Sequence, residues 1–140
     1  MVERVKPTTQ DIIKVAEFRS ALRHFLRRSE KVARQSGLTP QRYTLLMMIK
    51  GAPDGAEQST VTELSERMQV AQSTVTELVR RAESAGLIER EQSQRDARVA
   101  HLRLTTEGER RLMLSFTELE TERAQLREAF ANFDGGVTGR

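Results

Sequence analysis

Positions Val15, Phe18, Leu22, Phe25, Ser29 and Val32 recur at alternating spacings of three and four, drawing one largely apolar stripe along a helix predicted over residues 11–36. Gly37 ends it, and Thr39 followed by Pro40 reads as the N-cap and first position of a second helix, whose TLLMMI run is apolar enough to be buried. KGAPDGAEQS is the exit loop. Thr60 and Glu63 then have capping-box spacing ahead of a short helix carrying Leu64 and Met68. In AQSTVTELVRRAESAGL, Val75, Leu78, Val79 and Ala82 share a face, leaving Gln72, Ser73, Thr76, Glu77 and Arg80 more open, until Gly86 closes the helix. LIERE and VAHLRL are predicted to pair as a hairpin around the tip SQRDAR. Thr105 or Thr106 opens a last helix over 106–133, where Leu112, Phe116, Leu119, Arg123, Leu126, Phe130 and Phe133 repeat the four-and-three spacing. Residues 135–140, almost without apolar side chains, are expected to be a disordered tail.

Two short helices across a tight turn, followed at once by a two-stranded hairpin, is the order of a winged helix-turn-helix. The expected fold is mainly α with a small two-stranded β wing: one domain over 1–134, with the winged helix-turn-helix at 39–104 between long N- and C-terminal helices. In such a unit the first short helix braces the second, whose N-terminal side chains enter a major groove about 12 Å wide and read base edges. Gln72, Ser73, Thr74, Thr76 and Glu77 are the candidates for that reading. Ala71 stands where the helix would be capped and offers no side-chain acceptor.

Charge sharpens this picture only through its placement. The net charge of +3 over 140 residues is modest, but residues 19–42 carry seven Lys or Arg against the single acid Glu30. Residues 72–98 are balanced, with five arginines and five acids, so attraction to an anionic partner depends on where each group points. Without cysteine there is no disulfide framework or thiolate metal site. His24 and His101 lie on separate elements, so neither a metal nor a cofactor is expected. No nucleophile with a base, paired catalytic carboxylates or phosphate cradle is visible, which argues against an enzyme. The start MVERVKPTTQ lacks a signal-peptide core, and no apolar run approaches membrane-spanning length. The expectation is a soluble cytoplasmic protein, nucleoid-associated when bound.

GLTPQRYTLLMMIKG, TVTELSERMQVAQSTVTELVRRAESAGLIER and RDARVAHLRLTTEGE resemble, in that order, the MarR family of bacterial transcriptional regulators, with Asp96-x-Arg98 followed by Leu104-Thr105 and Glu107-Gly108 the most specific part. The resemblance covers roughly residues 12–130. It implies a homodimeric, sequence-specific regulator of double-stranded DNA, read here as a repressor, that binds a pseudo-palindromic operator and is released by a small phenolic or aromatic-acid ligand. The rival reading is a winged-helix protein-interaction module.

With α-helical reading in the major groove, the wing crosses the phosphates toward the minor groove, where negative potential favours arginine. Arg95 and Arg98 are then the wing's contacts, with Asp96 a tether that orients arginine rather than touching DNA. Arg42 and Arg80, with Arg81 an alternative, are candidate phosphate contacts. The two seams suit an intertwined dimer, with Leu22, Phe116, Leu119, Leu126 and Phe130 at its interface; the alternative is one antiparallel pair within a single chain. Relatives commonly carry a further C-terminal helix, which is not expected here. The family's ligand cleft suggests Arg19, Arg23 and His24 as donors, with Tyr43 and Met47 as wall.

Overall fold

The computed structural model describes residues 5–138, with side chains to residue 133. Helices α1 (Thr9–Gln35), α2 (Pro40–Lys50), α3 (Val61–Met68) and α4 (Gln72–Ser84) precede strands β1 (Ile88–Gln92) and β2 (Ala100–Leu104), and α5 (Thr106–Glu118) and α6 (Glu120–Thr138) follow. The helix starts have local causes. Thr8, Thr39, Thr60 and Thr105 each accept a backbone N–H of the first turn, and the boxes at Thr8–Asp11 and Thr60–Glu63 are reciprocal. The exception is α4, whose N-cap Ala71 makes no side-chain bond.

β1 and β2 pair antiparallel from Ile88 opposite Leu104 to Gln92 opposite Ala100. Buried Ser59 extends the ladder on the other side of β2: its N–H donates to the Leu102 carbonyl (3.1 Å) and its own carbonyl accepts from Leu102 (2.8 Å). The helix-turn-helix and the wing share one core, in which Leu45, Leu46 and Ile49 of α2 meet Leu64, Val75, Val79, Leu87 and Leu102. Each such side chain contributes about 1.5–3 kcal/mol on burial.

The single helix expected over 106–133 is two. Leu119, at φ −100° and ψ 15°, breaks it and is itself buried in the core. The Leu119 N–H turns back to the Phe116 carbonyl, which also accepts from the Arg123 guanidinium; that group lies 3.7 Å from the centre of the Phe116 ring. Arg123, read as a seam position, thus closes the end of α5 and stacks on an aromatic face. The second of the two is α6, most of which lies within the span expected to be helical. It runs through Thr138, so residues 135–138 of the expected tail are helical, although each of its two glycines costs a helix about 1 kcal/mol. Residues 139–140 lie outside the described residues.

α1 and α6 pack antiparallel in one chain. Phe18 stacks on Phe133 with ring centres 5.2 Å apart and meets Phe130 edge-on at 6.0 Å, while Arg28 donates to Glu122 at 3.0 Å near the other end. The intramolecular alternative for the seams is therefore realised along this part of them. Ile12, Val15 and Leu26 of α1 and Met113, Leu114 and Phe116 of α5 remain exposed, as does Phe130 despite its contact with Phe18.

Candidate nucleic-acid interface

The outward face of α4 follows from its core face. Val75, Leu78, Val79 and Ala82 are buried, which turns Ser73, Glu77 and Arg80, spaced at i, i+4 and i+7, away from the core. Gln72, Ser73, Thr74 and Thr76 are exposed, and the Gln72 amide reaches Thr62 of α3 at 3.4 Å. Between α3 and α4 the chain turns through Gln69 in the left-handed region (φ 57°), and the Ser65 hydroxyl donates to the Val70 carbonyl (2.6 Å). Arg67 braces the pair against α2, donating to the carbonyls of Met48 (2.7 Å) and Gly51 (3.2 Å). That role was not legible in the sequence, because its acceptors are backbone atoms of a different helix.

Glu77 does not stand alone. Arg80 donates to both its oxygens, at 3.1 and 2.5 Å, and Arg81 to one, at 2.8 Å. These hydrogen bonds hold the Glu77 carboxyl down at about 2. Gln41 of α2, which carries no signature of a site in the sequence, borders the same groove as Ser73, Thr74, Glu77 and Arg81. Arg42, beside it in the first turn of α2, is half-buried.

The wing is tied to α4 by Arg90, whose Nε donates to both oxygens of Glu83 (3.0 and 2.9 Å). At its tip the Asp96 carboxylate accepts the Arg98 backbone N–H (3.0 Å) and two guanidinium bonds (3.1 and 3.3 Å), which lower its pKa. The Arg98 side chain is nevertheless 90% exposed, so its charge is oriented but open to a partner. Arg95 is exposed, and its side chain makes no ion pair among the described residues. Ser93 shapes this tip, its hydroxyl accepting the N–H groups of Arg95 (3.2 Å) and Asp96 (3.4 Å). A serine two residues before a charged tip is a signal for such a turn.

The five residues read as a ligand pocket do not converge. Arg19 and Arg23 border a groove with Leu22, Leu26 and Phe133, whereas His24 lines a separate concavity with Phe25, Arg28, Glu122 and Leu126. The His24 ring shares a hydrogen bond with the Ser20 carbonyl (2.8 Å). Tyr43 is buried in the core with Met47 packed against it, and burial pushes the Tyr43 hydroxyl above its ordinary range despite nearby Arg123. The physical reason is position along the helix: α1 is buried only at Ser29, Val32 and Ala33 near its C-terminal end, and Arg19 and Arg23 lie on earlier turns. Of the expected dimerisation residues, Leu119 is buried within the chain, Leu22 and Leu126 are half-buried, and Phe116 and Phe130 are exposed. Among the described residues no cluster of three or more His, Asp or Glu is arranged to hold a metal, and no helix is long and apolar enough to cross a membrane.

A MarR family model matches residues 36–99. Among solved structures, a MarR family transcription regulator superposes with a TM-score of 0.72 at 22% identity, covering 92% of this chain and 83% of its own. A MarR family transcriptional regulator from Streptomyces coelicolor, solved in complex with DNA, gives 0.64 at 21% identity over 92% and 78%. FabT from Streptococcus pneumoniae, also solved in complex with DNA, gives 0.60 at 26% identity over 72% and 71%. No curated protein sequence matches the chain closely enough to be a relative. The family model thus matches the helix-turn-helix and the first strand and tip of the wing, and across nine-tenths of its length the chain shares the winged-helix fold of solved MarR regulators.

Proposed function

We propose that this chain is a sequence-specific regulator of transcription that binds double-stranded DNA, as a repressor and a homodimer on a pseudo-palindromic operator. The observation that carries the reading is the outward, uncharged start of α4, with Gln72, Ser73, Thr74 and Thr76 exposed, flanked by a wing whose tip holds Arg98 outward on Asp96. Relatives with this fold have been solved with DNA, consistent with the same use here. Phosphate contacts supply affinity and base-edge contacts supply preference. The test is fluorescence anisotropy with duplexes from around the chain's own gene against scrambled duplexes, over a salt series. Affinity should fall steeply with salt, and Arg98→Ala should weaken binding by about 1–3 kcal/mol without unfolding the protein. Binding indifferent to both salt and Arg98 would end this reading in favour of a protein-interaction module.

The homodimer rests on the apolar surface that the chain leaves uncovered at Ile12, Val15, Leu26, Phe116 and Phe130. Phe130 is 53% exposed in the single chain, so Phe130→Asp should fold yet fail to associate, because its carboxylate would be buried unpaired between copies. Sedimentation at micromolar concentration decides it, and a monomeric parent would refute the proposal.

Release by a small aromatic ligand belongs to the same proposal, moved from the residues read in the sequence to the α1–α6 concavity of about 360 Å³. There Arg28 offers a guanidinium to an acid, and Glu122 Oε1 is buried without a partner among the described residues, an acceptor for a hydroxyl. Salicylate titrated into the DNA complex should release it, and Arg28→Ala should abolish the response. No release at millimolar ligand would remove this part alone.

A further inference from the structure

The charged half of the α4 face poses a problem for base reading. Arg80 and Arg81 lie one turn beyond Thr76, on the same outward side as Ser73 and beside the groove formed with Gln41. Free guanidiniums there would be drawn to any phosphate, adding affinity for every duplex alike. They are not free: three hydrogen bonds draw them onto one carboxylate within one and a half helical turns, from Glu77 to Arg81. Both Arg80 Nε and Nη2 are committed, and Arg81 is held through Nε.

We propose that Glu77 is a specificity-determining positioning residue, which restrains Arg80 and Arg81 so that non-specific phosphate attraction stays low while Gln72, Ser73, Thr74 and Thr76 read bases. Its carboxylate subtracts one charge from the face and fixes the direction of two others. Phosphate contact by either arginine then requires either breaking a bond to Glu77 or approaching through a nitrogen that Glu77 leaves open. Only a duplex docked in the right register meets the second condition. The inference rests on the DNA-binding reading of α4, and the test separates the two.

Glu77→Gln should raise affinity for scrambled duplex several-fold, about three- to tenfold at moderate salt, and steepen its salt dependence by about one ion, while operator affinity changes less. Discrimination therefore falls. Glu107→Gln is the control, because it makes the same charge change in an i, i+3, i+4 cluster of the same kind on α5. It should leave both affinities within twofold. Glu77→Gln with Arg80→Ala and Arg81→Ala should return scrambled-duplex affinity to or below that of the parent. Retention on heparin, a polyanion without bases, reads the released charge independently: Glu77→Gln should elute at higher salt than Glu107→Gln. A parent that binds no duplex, with that heparin difference present, overturns the DNA reading but keeps the restraint. Equal heparin retention by the two variants, with unchanged salt dependence on scrambled duplex, overturns the restraint and leaves the DNA reading standing. Selective loss of operator binding in Glu77→Gln would show that Glu77 reads a base itself, which also overturns it.

Discussion

Two helices of this chain carry the same five-residue pattern, Glu77-Leu-Val-Arg80-Arg81 in α4 and Glu107-Gly-Glu-Arg110-Arg111 in α5, and use it differently. The local chemistry is almost the same. In α5, Arg110 donates to both oxygens of Glu107 at 2.9 and 2.7 Å and Arg111 to one at 2.7 Å, and the carboxyl is again held at about 2. What differs is the surroundings. Arg111 also reaches the Gly37 carbonyl (3.3 Å), stapling α5 to the turn after α1, whereas neither arginine of α4 makes a further hydrogen bond to another element among the described residues. The residue after the glutamate differs as well: Leu78 fills the core, while Gly108 lets α5 pass against the backbone of Leu87. A helix-spaced Glu-x-x-Arg-Arg cluster therefore specifies its own geometry but not its job. A neighbour within reach makes it a structural joint, and an open face leaves it available to a partner.

The largest effect should come from exchanging the small and large residues that separate these roles. A Cβ at Gly108 would overlap the Leu87 carbonyl oxygen, a backbone atom that cannot swing aside. Gly108→Ala should cost about 2–3 kcal/mol in urea denaturation, despite alanine's higher helix propensity. Leu78→Ala, which empties a filled core position, should cost about 2–5 kcal/mol. An unchanged midpoint for Gly108→Ala would show that α5 can shift, and the contrast between the helices would lose its basis.

Next in size is the pair of second arginines. Arg111→Ala removes the bond to Gly37 as well as the partner of Glu107 and should destabilise by about 1 kcal/mol. Arg81→Ala, at the matching position on the open face, should stay within about 0.5 kcal/mol in stability while weakening DNA binding. Equal melting temperatures for the two variants would dissolve the distinction drawn between joint and reading face.

The smallest effect concerns acid. A glutamate whose folded pKa is depressed from its ordinary range, about 4.3, to about 2 adds stability that is present above the upper value and lost as pH falls through the lower one. Both clusters are exposed, so the loss is shallow. Thermal melts of Glu107→Gln and of Glu77→Gln should each show a weaker decline than the parent as pH falls from about 4.3 to about 2. A decline as steep as the parent's in both would mean that the ion pairs do not persist in solution.

Interactions spanning a few residues were written in the sequence, because a helical turn or a tight loop brings those residues together whatever the rest of the chain does. The caps at Thr39 and Thr60, the existence of a hairpin around the tip, and the Asp96–Arg98 tether were legible in this way, whereas the register that sets Ile88 opposite Leu104 was not. So does the amphipathic phase of α4, and with it the identity of the residues that face outward. The tertiary structure decided whatever joins distant segments. Leu119 leaves the helix because the core has a place for its side chain, and Arg123 moves from the seam to the end of α5 because the Phe116 carbonyl is freed there. Ser59 becomes a third partner of the hairpin and Arg67 a brace for α2 through backbone groups that carry no signature in the sequence. The basic residues of α1 failed to meet Tyr43 for the same reason: periodicity defines which residues share a helix face, but only packing decides which turns of the helix meet the core.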